Sequence, residues 1–137
     1  MCSMTNRLDP SPMSAGTRGW RVLAWAGALV VLTVSLIPDP AIVLEAPPNS
    51  DKLVHAGMYG GLFALFSTAY RHWPPAALAV GLAGYGIVIE YLQMLTPTRF
   101  GSLADAIANC VGISIMLLIF NALAARQQQR QGSEPGP

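Results

Sequence analysis

Charge is what this sequence has least of. Only 11% of its 137 residues are Asp, Glu, Lys or Arg, and 53% are hydrophobic, whereas soluble domains carry about 25% charged residues. The net charge is +1 at pH 7, so no bulk electrostatic attraction to nucleic acid or to an acidic partner is expected. A chain this poor in charge and this rich in apolar side chains is typical of an integral membrane protein.

Cysteine is also scarce. Cys2 lies in the polar N-terminal segment, and Cys110 lies inside a long apolar stretch. Because one cysteine lies in a polar segment and the other in an apolar stretch, we expect them to lie too far apart for a disulfide. We expect Cys110 to be a small buried apolar residue.

The strict alternation of apolar and polar residues that marks a membrane strand is missing as well. Four apolar stretches take its place, at about residues 20–37, 53–70, 75–95 and 103–124. Each is close to the ~20 residues that a helix needs to cross a ~30 Å hydrocarbon core. Helices satisfy their own backbone hydrogen bonds in lipid. The sequence therefore predicts an all-α fold, a bundle of four transmembrane helices.

The first apolar stretch has a second interpretation. Arg18 and Arg21 precede its apolar run, as in a signal peptide. A small-x-small cleavage site does not follow, and Pro38 comes instead. We therefore favour a retained transmembrane helix.

The basic residues are distributed unevenly. Four spans place both termini on one side of the membrane, and that side carries Arg7, Arg18, Arg21, Arg71, Arg126 and Arg130. The opposite side carries only Lys52 and Arg99. The positive-inside rule therefore predicts that both termini are cytoplasmic. We expect a flexible cytoplasmic segment at residues 1–19, a membrane domain at 20–124 and a disordered cytoplasmic tail at 125–137.

Small residues suggest where the helices pack. Gly57 and Gly61 form a Gly-x-x-x-Gly pair in the second stretch, and Gly81 follows Ala77 by one turn in the third. In the fourth, the repeat at every fourth position comprises Ala104, Ala108 and Gly112. Small residues let membrane helices approach closely, so we predict that these faces form helix–helix contacts.

Eight polar residues lie at, or just inside, the helix ends that this topology brings to the outer side: Asp51, Lys52, His55, Glu90, Gln93, Arg99, Asp105 and Asn109. Asp51 and His55 share one helix face with Tyr59, at spacings of four residues. Polar groups at membrane depth are costly and are mostly functional. We therefore predict that these eight residues form a ligand-binding site.

Each of these residues also has a structural interpretation. Asp51 complements a helix dipole, and Lys52 extends to the head groups. Asp105 completes a capping box that begins at Ser102. The amides of Gln93 and Asn109 are suited to interhelical hydrogen bonds, His55 to a satisfied core position, and Arg99 to an ion pair with Asp105. Glu90 is the hardest to explain in this way, because a buried carboxylate needs a partner or becomes neutral.

Three motifs carry a resemblance to a known family. They are Asp51-Lys52-x-x-His55-x-x-x-Tyr59, Glu90-x-x-Gln93 and Pro97-x-Arg99-x-x-Ser102-x-x-Asp105-x-x-x-Asn109-x-x-Gly112. In this order, over residues 51–112, they resemble the pattern of the VanZ-like family. The resemblance implies a small bacterial multi-pass protein of the cytoplasmic (inner) membrane. It also implies a role near the cell envelope, since the family takes its name from a member linked to teicoplanin resistance.

The favoured hypothesis is that the chain binds or modulates a lipid-linked envelope component at the outer leaflet, with membrane lipids as its partners. Arg99 and Lys52 would engage a phosphate or carboxylate. Glu90, Gln93, Asn109 and His55 would bind hydroxyl groups of a sugar, peptide or head group. No cofactor is expected.

Three other functions are weighed against it. One is an intramembrane hydrolase or transferase in which Glu90 is the general base and His55 an acid or an orienting group. A metal is not expected, since His55, Glu90 and Asp105 lack the spacing of a ligand set. Another is a polar network that only fixes helix register. Transport is the weakest, because the chain shows no inverted repeat of broken helices.

Overall fold

Four helices make up the fold. The computed structural model describes residues 15–37, 50–96 and 102–132. The helices are α1 (Ala15–Leu36), α2 (Ser50–Ala69), α3 (Pro75–Met94) and α4 (Leu103–Gly132). These described segments contain no strand, and the predicted all-α class is confirmed.

Three of the helices are long and apolar enough to cross a membrane. They contribute the segments Thr17–Leu36, Pro75–Met94 and Leu103–Arg130. α2 has sufficient length, but its first turns carry Asp51, Lys52 and His55, which lower its hydropathy. A membrane crossing by α2 stays a prediction, as does the cytoplasmic position of both termini.

α2 is the central helix of the bundle. It contacts α1, α3 and α4, whereas the described parts of α1 and α4 do not contact each other. Its buried side chains include Leu62, Phe63 and Phe66, and the Phe63 ring packs edge-on against Phe120 of α4 at 6.0 Å between centroids. Because α2 is surrounded by protein on several sides, it requires less apolar surface than a helix that faces lipid.

α2 and α4 approach each other at backbone distance. A Cβ added at Gly112 would collide with the carbonyl of Ala56, and one added at Gly60 would lie 3.2 Å from the Gly112 carbonyl oxygen. The predicted small face of α4 therefore does form a helix contact at Gly112. The prediction for α2 is wrong by one position, because a Cβ at Gly57 or Gly61 would meet no described atom within 4 Å.

The helix bounds differ from the prediction at both ends of the chain. α1 begins at Ala15, inside the segment predicted to be flexible. α4 continues to Gly132, past the predicted end of the membrane domain at Ala124. The extension is rich in Ala, Arg and Gln, which are good helix formers, so this part of the predicted disordered tail is helical. Residues 1–14 and 133–137 lie outside the described residues.

Candidate functional site

Hydrogen bonds show which helix ends lie together. The Gln93 amide donates to the carbonyl oxygen of Ser35 at 2.9 Å and joins the C-terminal ends of α3 and α1. His55 Nδ1 lies 3.2 Å from Asn109 Oδ1 and joins the N-terminal parts of α2 and α4. We call this end of the bundle the polar end. The predicted site residues of all three helices that carry them therefore lie toward one end.

Glu90 caps the start of α4. Its Oε2 accepts a hydrogen bond of 2.9 Å from the backbone N–H of Ser102, the residue before the first turn of α4. Four backbone N–H groups at a helix start lack partners within the helix, and a carboxylate near them is favourable. One oxygen of Glu90 thus has a structural role, although it comes from a different helix.

This cap changes the role of Asp105. The Ser102 hydroxyl accepts from the N–H of Ala104 at 3.2 Å, which is a simple N-cap bond. In a complete box, the carboxylate three residues later would accept the N–H of the capping residue, but Glu90 takes that N–H. Asp105 is therefore not engaged in the predicted box, and its Oδ1 is a buried atom with no partner among the described residues.

Tyr59 lies near the middle of α2, with its ring 6.4 Å from that of Tyr85 of α3. A Cβ built at Gly86 would lie 3.1 Å from both Tyr59 Cε1 and Asn109 Nδ2, so Gly86 leaves just enough room for these two side chains. Glu90 follows Gly86 by one turn on α3 and is also buried. α2, α3 and α4 thus each contribute one of these buried polar side chains.

Three buried polar atoms in this region lack a partner within the described chain: Tyr59 Oη, Glu90 Oε1 and Asp105 Oδ1. Tyr59 is 1% exposed and Glu90 is 6% exposed. Buried polar atoms in native proteins nearly always have hydrogen-bond partners, and leaving one without a partner costs ~1–3 kcal/mol. Two carboxylate oxygens and a phenol without partners among the described residues are suited to a ligand that supplies donors.

The remaining predicted residues differ in their surroundings. Asp51 and Lys52 are not buried and form an ion pair with each other, 3.3 Å between Nζ and Oδ2. The backbone N–H of Lys52, and then its ammonium group, hold the pKa of the Asp51 carboxyl below its usual value. Gln93 is buried against α1. Arg99 lies outside the described residues.

Two contributors were not among the predicted site residues. Tyr59 was placed on the right helix face but not in the site, and its spacing of four from His55 was the available signal. Gly86 had a weaker signal, a glycine one turn before Glu90 in an apolar stretch. The Ser102 backbone N–H could not be found from side-chain patterns, since any residue supplies one.

An apolar groove begins beside this region. It has a volume of about 470 Å³ and runs along α4 from Leu103 to Leu118, with Ile87 of α3 on its other side. The helical rise from Leu103 to Leu118 corresponds to a length of about 22 Å. Cys110 lies in this groove and is exposed, so the expectation that it is buried is wrong: it faces away from the bundle.

Metal ligands do not cluster in the described part of the chain. No group of three or more His, Cys, Asp or Glu side chains there has the arrangement to hold a metal ion. The chemistry that the described residues offer is hydrogen bonding, from carboxylate oxygens, a phenol, an amide and an imidazole.

Comparison with known proteins agrees with this architecture. The model of the VanZ/LLP1 family matches residues 15–124, which include all three motifs and all eight predicted site residues. No curated protein and no solved structure matches the chain at a significant level. The family match covers far more than half of the chain. Three helices of the chain are apolar enough to span a bilayer. This chain is therefore a membrane protein that belongs to the VanZ/LLP1 family.

Proposed function

We propose that this protein binds a lipid-linked component of the bacterial cell envelope, with the head group at the polar end and the hydrocarbon chain in the adjoining groove. The observation that carries the proposal is the set of three buried atoms without partners among the described residues, Tyr59 Oη, Glu90 Oε1 and Asp105 Oδ1. Buried polar atoms in native proteins nearly always have a hydrogen-bond partner, and polar groups at membrane depth are costly.

The chemistry of the set selects the kind of head group. Carboxylate oxygens accept hydrogen bonds, so Glu90 and Asp105 favour hydroxyl or amide donors, which sugars and peptides supply. The Tyr59 phenol both donates and accepts. Lys52, at the rim, and Arg99, in the α3–α4 connection, are suited to a phosphate or carboxylate, because a guanidinium offers a fork of donors to either group.

The groove supports a long apolar chain as the other half of the ligand. It begins at Leu103, next to Ser102, whose N–H is bound by Glu90. Its length of about 22 Å is most of the way across a ~30 Å hydrocarbon core. A polyprenyl or comparable chain would lie along α4 while its head group remains at the polar end.

The location follows from the same proposal. From the positive-inside rule we infer that the polar end faces the outer leaflet of the cytoplasmic membrane, where a lipid-linked envelope precursor would be held. A protein that holds such a precursor there would change how glycopeptides such as teicoplanin reach it. We propose an effect on teicoplanin susceptibility as a consequence of lipid binding and not as the primary activity.

Lipid retention tests the proposal. Wild type, Asp105→Asn and Arg99→Gln are purified in native lipid discs, matched for folded yield, and the retained lipids are compared by mass spectrometry. Asp51→Asn is the matched control, since this carboxylate is exposed and paired with Lys52. We expect both site variants to lose a polyprenyl-phosphate lipid by about tenfold, which equals ~1.4 kcal/mol of binding free energy, while the control keeps it. Identical profiles in all four proteins would overturn the proposal.

An intramembrane enzyme is the second candidate, and one observation favours it. The Asn109 side chain orients His55 through Nδ1, as a third group orients the base in many catalytic sites. Glu90, with one free oxygen, would be the general base and His55 the acid. Turnover of a polyprenyl-phosphate lipid by wild type, lost in His55→Gln with lipid retention intact, would favour the enzyme. Retention without turnover favours binding.

A structural network is the third candidate. It is favoured by the Glu90 cap on α4 and by the Gln93 bond to Ser35. Under this alternative, Asp105→Asn would leave the lipid profile unchanged, and only variants that break an existing hydrogen bond would lower the folded yield. The same preparations therefore separate the three functions.

A further inference from the structure

A second cavity lies at the opposite end of the bundle, which we call the aromatic end. It has a volume of about 500 Å³, within the range of ~300–1,000 Å³ that is typical of small-molecule sites, and its lining is almost wholly apolar. The lining residues that define it are Trp25, Phe66, Tyr70, Trp73, Gly81 and Tyr85. They come from α1, α2, α3 and the α2–α3 turn, so this cavity is separate from the groove on α4.

Small residues on α3 keep the cavity open. Ala77 and Gly81 both line it, and a Cβ at Gly81 would meet no described atom within 4 Å. The predicted packing role of this small face is therefore wrong. At Gly81 the missing side chain leaves space where a helix contact was expected.

Hydrogen bonds hold the aromatic walls in place. Trp25 Nε1 donates to the Tyr70 hydroxyl at 2.9 Å, and the Tyr85 hydroxyl donates to the carbonyl oxygen of Ala28 at 2.6 Å. Trp25 also packs edge-on against Phe66, with 5.3 Å between ring centroids. Side chains fixed in this way form a site without rearrangement, which lowers the entropic cost of binding.

Charge at this end selects an anionic ligand. The Arg21 guanidinium lies over the Tyr70 ring, 4.9 Å from its centroid, and Arg18 and Arg71 are exposed at the same end. The three carboxylates of the described chain, by contrast, belong to the polar end: Asp51, Glu90 and Asp105. An apolar cavity with cations at its rim matches an amphiphile with an anionic head group.

We propose that the aromatic cavity binds one acyl chain of an anionic phospholipid from the leaflet at that end, with the phosphate held beside Arg21. The open cavity supplies the space for the chain, and the aromatic rings supply the apolar wall. The arginines supply attraction to the phosphate, with tryptophan and tyrosine at the interfacial depth where they are favoured. This site is independent of the ligand proposed for the polar end.

Fluorescence quenching tests the proposal directly, because Trp25 and Trp73 line the cavity. The full chain with Trp20→Phe is reconstituted in phosphatidylcholine vesicles that contain either brominated phosphatidylglycerol or brominated phosphatidylcholine. We expect the brominated anionic lipid to be bound about fivefold more strongly than the neutral one, as for the attraction of one basic residue to anionic lipid. Equal quenching by the two lipids would overturn the proposal.

Two glycine variants separate a cavity site from general attraction of lipid to the surface. Gly81→Leu fills the cavity, whereas Gly84→Leu, on the same helix, points into open space away from it. Leucine is a better helix former than glycine, so both variants are expected to fold. The preference for the anionic lipid should disappear in Gly81→Leu and persist in Gly84→Leu. Equal preferences in the two variants mean surface attraction only and contradict the cavity site.

Arginine variants test the head group. Arg21→Gln should abolish the preference for phosphatidylglycerol while quenching by the neutral lipid is unchanged. Arg126→Gln, an exposed arginine in the last part of α4, is the matched control and should keep the preference. If Arg126→Gln lowers it as much as Arg21→Gln, the phosphate is not held beside Arg21.

Discussion

The two ends of this bundle use the same kind of residue for opposite purposes. At the polar end, Gly112 and Gly60 bring α4 and α2 together at backbone distance, and polar side chains are enclosed nearby. At the aromatic end, a Cβ at Gly81 would meet no described atom within 4 Å, and Gly81 borders a cavity with aromatic walls. A small residue permits close approach but does not cause it. The residues on the facing helix decide whether a small residue makes a helix contact or borders a cavity.

The two ends also differ in how their polar groups are satisfied. At the aromatic end, the Trp25 indole and the Tyr85 hydroxyl have partners within the chain. At the polar end, one oxygen of Glu90 is bound and the other is not. The paired side chains form a fixed wall of the aromatic cavity, although Ser67 Oγ on the same part of α2 is buried without a partner among the described residues. The oxygens without such partners at the polar end are the groups that the proposed ligand would bind. The predictions below act on this difference, from the largest effect to the smallest.

Separation of α2 from α4 should disrupt the polar end most. Gly112→Val places a branched side chain against the Ala56 carbonyl, and overpacking of this kind costs about 3 kcal/mol of the free energy of unfolding. Denaturant unfolding in detergent micelles measures it. Gly61→Ala is the control and should have no such cost. Equal stability of Gly112→Val and wild type would contradict the close approach.

The two acidic residues near the start of α4 should have unequal effects. Glu90→Ala leaves the half-buried N–H of Ser102 without its partner, which costs ~1 kcal/mol or more. Asp105→Ala removes a carboxylate that makes no capping-box bond. Its helix-dipole contribution of about 0.5 kcal/mol is offset by the removal of a buried oxygen without a partner among the described residues, so we expect no net loss of stability. Unfolding of both variants under the same conditions provides the comparison. A larger loss for Asp105→Ala would mean that Asp105, and not Glu90, caps the helix.

The His55–Asn109 contact should be detectable as a pairwise coupling. A double-mutant cycle of His55→Ala and Asn109→Ala isolates the interaction from the separate effects of each truncation. Polar contacts between membrane helices average about 0.6 kcal/mol in such cycles, and we expect that value here. Additive losses would mean that the 3.2 Å approach contributes no stability.

The exposed rim of the polar end should have the smallest effect. The Lys52 N–H and ammonium lower the pKa of Asp51, so its stabilising contribution is present above the usual carboxyl pKa and is lost only as the pH falls through the lowered value. The difference in melting temperature between wild type and Asp51→Asn should therefore be small and constant from about pH 8 to pH 5, because this whole range lies above the usual carboxyl pKa of ~3.9. A difference that grows within this range would mean that Asp51 is buried or bound.

Much of the fold was open to prediction from sequence. The helices lie close to the four apolar stretches, because hydrocarbon thickness sets their length. α2 shows the limit of this reasoning: Ala56, Gly57, Gly60 and Gly61 offer two overlapping small faces, one residue apart. Because α2 is apolar on most sides, its sequence carries no signal that selects one of the two small faces. The size of the side chains on the neighbouring helices decides which face makes the contact.

The candidate site, too, was predictable from the sequence only in part. Spacing along single helices was sufficient to group the polar residues at one end, and the motifs of the VanZ/LLP1 family strengthened that prediction. It was not sufficient to find that Glu90 takes the backbone N–H expected for Asp105. A contact between a side chain of one helix and the first turn of another depends on their relative position.

What the sequence by itself determined is the membrane location, the four helices and the end of the bundle where polar groups collect. Composition and helix length control all three, and both can be read along the chain. Only the tertiary structure decided which glycines make contact, which oxygens are left without partners and where the two apolar hollows open. These depend on helix rotation and distance, which change with every neighbouring side chain and have no signature in a single helix.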